Sequence, residues 1–398
     1  MSVPLLDLNA QNLALEDELK AAFERVLRSG QFILGPEVQA LEAKIAELAG
    51  ARHAIGVSSG TDGILLALMA LEIGPGDEVV CPSFTFFATA GCIARVGAVP
   101  VFADSCLYCF NIDLSDVERK ITSRTKALMP VHLFGQPADM DRVMELAAHH
   151  GLPVIEDAAQ SMGSVYRGRR IGSIGTFGMF SLFPSKNLGG FGDGGVLVTN
   201  DEELAAKARM LRAHGAKPKY FHKYVGGNFR LDPLQAALLS VKLPHYDQYT
   251  ARRRANAAYY TEKLAAVPGI VPGSLRDSVC RPPAGGEPIP ASARIVLPSA
   301  YPDNEHIWNQ YTLRVLGPGR RDALKALLIE KKIGTEIYYP VPMHRQECFA
   351  HLESAGSTLP KAERLAGESL SIPIFPELTR SQQDEVIGVV AEFARGSR

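Results

Sequence analysis

The chain has 398 residues, of which 46% are hydrophobic and 21% charged, and its formal net charge is −1. That length exceeds what one small core needs and predicts roughly two domains, while the near-neutral charge excludes the basic footprint of a nucleic-acid or anionic-lipid binder. No apolar run approaches the ~20 residues of a membrane span. Met1 is followed by Ser-Val-Pro-Leu-Leu-Asp rather than by a basic segment and an apolar signal core, so a cytoplasmic location is expected. Cys106 and Cys109 form a lone CxxC with no second pair or histidines at ligand spacing. Reduced thiols are expected there, and no metal site.

In chain order, Leu13, Leu15, Leu19, Ala22, Phe23 and Val26 predict an amphipathic helix over 13–28. A loop at 29–36 leads to a second helix from Glu37 to Ala49. Ala54–Val57 reads as a short strand, followed by Ser58-Ser59-Gly60-Thr61-Asp62-Gly63 and a helix through Leu71. Strands are predicted at 78–82, 99–103, 127–132 and 153–157, with helices at 84–96 and 139–150. Two further strands, 177–183 and 195–199, flank Lys186. This alternation argues for an α/β fold with a mostly parallel sheet flanked by helices.

A helix over about 232–243 ends at Pro244, and a long helix follows at 246–266. The expected division is a large α/β domain over 1–245 and a smaller C-terminal α+β domain over 246–398. Residues 272–302 are rich in proline, glycine, alanine and serine and are expected to form an exposed, partly disordered insertion. No internal repeat is visible.

The chemistry centres on Gly178-Met179-Phe180-Ser181-Leu182-Phe183-Pro184-Ser185-Lys186, which glycines follow at 189, 190, 192, 194 and 195. Burial disfavours the ammonium form of a lysine and makes its neutral amine a nucleophile; a snorkelling surface lysine is the plain alternative. Ser59-Gly60-Thr61 opens a helix after a strand, which suits a phosphate or serves only as a cap. Asp157 ends an apolar strand, with Gln160 three residues on. Its carboxylate could keep a heteroaromatic nitrogen protonated, or cap a helix. A phosphate cradle, an acid and a desolvated lysine, in that order on an α/β sheet, are what pyridoxal 5'-phosphate needs. Phe86 could stack on its ring.

Several segments resemble the DegT/StrS-type sugar aminotransferases, which have the fold type I architecture of pyridoxal-phosphate enzymes. They are Ser58–Asp62, Pro82–Phe86, Glu156–Ser161, Phe180–Leu188, Gly192–Gly195, Asn228–Asp232 with Gln235-Ala236-Ala237, and Tyr338–Pro342. The resemblance covers nearly the whole chain outside 272–302. It implies that Lys186 bonds the cofactor aldehyde and later carries the proton, and that Asp157 pairs with the ring nitrogen. By the same resemblance Gln160 contacts the ring and its phenolic oxygen, while Ser181 and the Gly60 and Thr61 amides hold the phosphate. Phe86 takes the ring-stacking position. Asn228 reaches the cofactor phosphate of a neighbouring subunit, so a homodimer with shared active sites is expected. Arg230, Tyr338, Tyr339 and His344 fall in segments that line the substrate side, although several members carry a histidine where Tyr338 stands.

The implied reaction moves an amino group from L-glutamate to a nucleotide-linked keto sugar, in amino-sugar or surface-polysaccharide biosynthesis. A 3-keto hexose is favoured, because Asn228–Asp232 looks more like members acting at C3 than at C4. The alternatives are a 4-keto substrate, a sugar dehydratase on the same scaffold and a non-catalytic regulatory relative. The dehydratase branch replaces the lysine by histidine, and Lys186 argues against it.

Overall fold

Residues 3–273, 289–352 and 356–396 are described in the computed structural model of the chain. The helix expected over 13–28 is α2 (Glu16–Ser29), and a short helix that was not expected, α1 (Leu8–Leu13), precedes it. The Asp7 carboxylate caps α1 by accepting from the Asn9 and Ala10 amides. Glu16, Asp17 and Glu18 then place negative charge at a fresh helix start, where the dipole favours it. The helix predicted from Glu37 is α3 (Pro36–Ala49), which has proline in its first turn and Gly50 in the left-handed conformation at its end.

Strands and helices then alternate: β1 (His53–Val57), α4 (Gly60–Ala70), β2 (Glu78–Pro82), α5 (Phe87–Arg95), β3 (Val99–Ala103), α6 (Leu114–Lys120), β4 (Thr125–Leu128), α7 (Met140–His150) and β5 (Ile155–Asp157). A small hairpin, β6 (Val165–Tyr166) and β7 (Arg169–Arg170), precedes β8 (Phe177–Ser181) and β9 (Gly195–Thr199). The order β3-β2-β4 is parallel throughout, and a second set runs β1-β9-β8-β5. Parallel bridges Leu128–Val154 and Val131–Asp157 join the two sets into one sheet. Within it β9 runs against both neighbours and the other strands share one direction. The mostly parallel sheet is therefore as expected.

Both faces of the sheet are covered, so its strands are apolar on both sides. Met179 and Leu197 enter one core with Ile64, Leu66 and Phe84, whereas Phe180, Val196 and Val198 enter the other with Leu41, Tyr166 and Leu239. Two elements differ from the sequence reading. α5 starts at Phe87, because Phe84 is drawn into the core and Phe86 is extended. Regular pairing of β4 stops at Leu128, two residues before Pro130, which has no N–H to donate.

Beyond the sheet come α8 (Glu202–Leu211), α9 (Pro233–Lys242) and α10 (Tyr246–Ala265), with Pro244 in the short turn between the last two. β10 (Ile270–Val271), β11 (Ile295–Val296), β12 (Asn304–Glu305), β13 (Tyr311–Val315), α11 (Arg320–Glu330), α12 (Pro360–Glu368), β14 (Ser369–Ile372) and α13 (Arg380–Arg395) complete the chain. β10-β11-β13-β14 form a sheet, and β12 pairs with β6. A third apolar core gathers Tyr260, Ile295, Leu313, Leu324, Ile372 and Val386. Residues 274–288 of the expected insertion lie outside the described residues. The reading of 289–302 as exposed loop is corrected: β11 is buried and pairs with both β10 and β13. Its apolar Ile295-Val296-Leu297 is short enough for the surrounding prolines to mask it in a composition count.

Candidate active site

Because the strands are parallel, β1, β2, β5 and β8 all deliver their carboxyl ends to the same edge of the sheet, which is where α/β folds place their sites. A cavity of about 620 Å³ opens there. Ser59, Gly60, Thr61, Phe86, Asp157, Gln160, Ser181, Lys186, Tyr338 and Tyr339 all line it.

At the end of β1, the Ser59 hydroxyl accepts from the Asp62 amide at 3.0 Å and donates to the Asp62 carboxylate at 2.9 Å. This cap leaves the Gly60 and Thr61 amides at the N-terminus of α4 without a partner among the described residues. Close packing brings α4 onto β8 and β9. A side-chain carbon on Gly60 would lie 3.1 Å from Ser181 Cβ, and one on Gly195 would lie 2.7 Å from the Ser59 carbonyl carbon. Two free amides and the Ser181 hydroxyl thus meet at a helix N-terminus, an arrangement suited to a phosphate.

Asp157 is 4% exposed at the end of β5. Thr89 Oγ1 on α5 donates to Oδ2 at 2.7 Å, and the Ala159 amide donates to Oδ1 at 3.2 Å. Thr85 and Thr89 hydroxyls lie 3.1 Å apart behind it. Burial pushes the Asp157 pKa up, opposed by the Thr89 hydroxyl, the Ala159 amide and the charge of Lys186. Among the described residues a hydroxyl and an amide hold this buried carboxylate and no cation lies within ion-pair distance of it, so it is short of a close cation, and a protonated ring nitrogen in the cavity would supply it. Thr89 was not singled out from sequence. No local pattern marks it, since Thr85 lies outside α5 and the contact with Asp157 spans 68 residues.

The neighbouring Glu156 faces away from the cavity. Its carboxylate accepts from the amides of Gly172, Ile174 and Gly175 and lies 3.1 Å from His132 Nε2. His132 Nδ1 accepts from the Ala138 amide, so Nε2 carries the hydrogen. This buried pair anchors the chain beneath the site and was not read from sequence.

Lys186 follows β8 in a tightly closed loop. Its amide donates to Phe183 O at 2.8 Å, and Gly190 donates to Leu182 O at 2.8 Å. A side-chain carbon on Gly189 would lie 2.1 Å from Pro184 O, so this fold of the loop requires glycine. Lys186 is half-buried, and desolvation of its amine, partly offset by the Asp157 charge, lowers its pKa from the usual 10.5 to about 8. The neutral amine should therefore grow as pH rises through about 8. In cofactor-free protein, the rate of labelling at Lys186 by a small aldehyde with borohydride should follow that rise. A rate flat between about pH 7 and pH 9, increasing only near 10, would contradict it.

Opposite the strand ends, Gln160 Oε1 accepts from the Phe134 amide at 2.7 Å and Nε2 donates to the Tyr339 hydroxyl at 3.0 Å. Tyr339 stacks parallel to Phe134 with ring centres 6.3 Å apart. Its φ of +68° is one that tyrosine rarely adopts, and these contacts hold it there. His344 does not reach the cavity, which corrects its reading as a substrate contact. Its fully buried ring sets Nδ1 2.7 Å from Ser83 Oγ and Nε2 3.0 Å from Glu363 Oε1, behind the cavity wall. Asn228 and Arg230 do not line the cavity of their own chain either. The irregular segment they lie on bridges to the end of β1, where Ser58 donates to Phe229 O and Arg230 bridges to Val57.

Sheet order, strand direction and a lysine facing an acid at the strand ends define the fold type I architecture of pyridoxal-phosphate enzymes. The model of the DegT/DnrJ/EryC1/StrS aminotransferase family matches residues 14–281 and 289–391, and the chain belongs to that family. It is similar to a pleiotropic regulatory protein of Geobacillus stearothermophilus, at 47% identity over 99% of both chains. It is also similar to the UDP-N-acetyl-3-dehydro-alpha-D-glucosamine 3-aminotransferase of Acidithiobacillus ferrooxidans, at 42% identity over 99% of both. Among solved structures, S. venezuelae DesV in complex with a ketimine intermediate superposes with a TM-score of 0.90, at 44% identity over 100% of both chains. No helix among the described residues is long and apolar enough to cross a membrane.

Proposed function

We propose that the protein uses pyridoxal 5'-phosphate to move an amino group from L-glutamate onto a nucleotide-linked keto sugar, with a 3-keto hexose favoured. The observation that carries this reading is the cavity itself. Unpartnered Gly60 and Thr61 amides with Ser181 stand at one end, a cation-short Asp157 at its floor, and a lysine of lowered pKa beside them. These residues fit the phosphate, the ring nitrogen and the aldehyde of the cofactor. Bound there, the cofactor supplies a carbonyl and an electron-withdrawing ring.

In this reading Gly60, Thr61 and Ser181 bind the phosphate and fix the ring's position. Asp157 holds a proton on the ring nitrogen, and Thr89 orients Asp157. Phe86 covers a ring face, and Gln160 sets the ring edge together with Tyr339. Lys186 holds the cofactor covalently at rest. Its Nζ then takes the proton from the glutamate Cα and, in the second half-reaction, delivers one to the sugar carbon. Asn228 of a second copy completes the phosphate site, which makes the working unit a homodimer. Arg230, with its fork of donors, and Tyr338 serve the sugar side.

Amination at C3 is supported by the Asn228–Asp232 segment and by the name of the Acidithiobacillus relative. The Geobacillus relative's name points to regulation instead, but a desolvated lysine facing a buried acid equips this cavity for chemistry. Incubation with glutamate and paired 3-keto and 4-keto nucleotide sugars, with NMR of the products, tests the proposal. The 3-keto compound should yield the amino sugar and 2-oxoglutarate. Product from the 4-keto compound alone would overturn the C3 reading, and product from neither would overturn the substrate class.

A further inference from the structure

Lys242, at the end of α9, is 1% exposed and has no role in the chemistry described above. Its ammonium donates to Gly189 O at 2.6 Å and lies over the Phe191 ring, 5.5 Å from the centroid. No carboxylate comes within ion-pair distance of it among the described residues. Burial pulls its pKa to about 8, partly offset by the charge of Glu377. A lone ammonium buried without a counter-ion opposes folding. Simple packing would be served as well by an apolar side chain of the same length.

What the charge holds is the loop of Lys186. Gly189 lies three residues after Lys186, at the point where the loop folds back on Pro184 O. The Phe191 amide in the same loop donates to Gln235 Oε1 at 2.9 Å. Gln235 and Lys242 are seven residues apart, two turns along α9, and so share one face of it. That face grips the loop at two main-chain positions, 189 and 191. Its partners lie 44 and 53 residues away in sequence, so the grip is tertiary rather than part of the loop's own fold.

We infer that Lys242 is a positioning residue: it fixes the Lys186 loop against α9 and thereby holds the Lys186 amine in its desolvated place facing Asp157. The inference rests on the proposed role of Lys186. Without the bond to Gly189 O the loop gains freedom, the Lys186 ammonium meets more water, and its amine reacts less readily at a given pH.

The test uses cofactor-free full-length protein and pyridoxal 5'-phosphate as the probe, with borohydride fixation and mass mapping of the Lys186 peptide across pH. Lys242→Met keeps the stem and removes the ammonium. Lys242→Gln restores a donor for Gly189 O without the charge. Lys242→Met should still melt cooperatively yet be labelled at Lys186 at least tenfold more slowly, with its pH midpoint moved above about 8. Lys242→Gln should recover to within about threefold of wild type. Lys242→Met labelled at the wild-type rate and midpoint overturns the inference. If Lys242→Met does not fold, Lys242→Gln decides alone: a midpoint near that of wild type supports the inference, and a loss of labelling in a folded protein overturns it. Absence of labelling at Lys186 in wild type is a different result, which removes the cofactor reading itself.

Discussion

Replacing Lys186 by alanine is expected to lower transamination by ~10⁴-fold or more, about 5 kcal/mol in the barrier. Among the described residues no other lysine lines the cavity to substitute. Lys242 has a similarly lowered pKa, but it is sealed in the core and spent on Gly189 O. Lys186→Ala should fold, because it removes an amine whose desolvation opposes folding and disturbs none of the loop's main-chain bonds. It should also retain affinity for the cofactor through Gly60, Thr61 and Ser181, measurable as equilibrium binding. Turnover within tenfold of wild type would refute the role given to Lys186.

The second large effect is expected from Asp157→Asn. The amide is nearly isosteric, and its oxygen can still accept from Thr89, so shape and packing survive. The charge is lost, and with it the group that holds a proton on a ring nitrogen. A fall in kcat of ~10²-fold or more, about 3 kcal/mol, should follow. The second carboxylate oxygen, which accepts from the Ala159 amide, becomes an NH₂ that cannot, so a small loss of stability should accompany it. A change in kcat under threefold would reduce Asp157 to a structural acceptor.

The groups behind these two effects were legible because each marks a strand end. Val57 before Ser59, the apolar run before Asp157 and the apolar run before Lys186 are short segments closed by polar residues or glycines. A parallel sheet brings such ends to one edge regardless of where they fall in the chain. The alternation that predicts the sheet therefore also predicts the site. The β1, β2, β5, β8 and β9 strands were readable because they are buried almost throughout and, apart from polar residues such as Glu78, Glu156 and Asp157, apolar, whereas the edge strand β3 was legible from its valines although Val99 is exposed.

What escaped has no local pattern. Thr89 reaches Asp157 across 68 residues, Ser83 meets His344 across 261, and Lys242 meets Gly189 across 53. Each contact depends on how elements pack, and the residue types involved read equally well as surface groups. His344 was misplaced because its segment, Tyr338–His344, does line the cavity in part, while its own ring turns back to Ser83 and Glu363. β11 was lost in the proline-rich composition around it, although pairing with β10 and β13 makes it core.

The central claim is that Lys186 is the residue that bonds the cofactor, and it is tested most directly on wild-type protein. Holoenzyme loaded with pyridoxal 5'-phosphate is reduced with borohydride, digested and mapped by mass. The expected result is loss of the yellow colour and one cofactor-sized addition, on the peptide containing Lys186. An unmodified Lys186, or the same addition on Lys242 or any other lysine, would contradict the account.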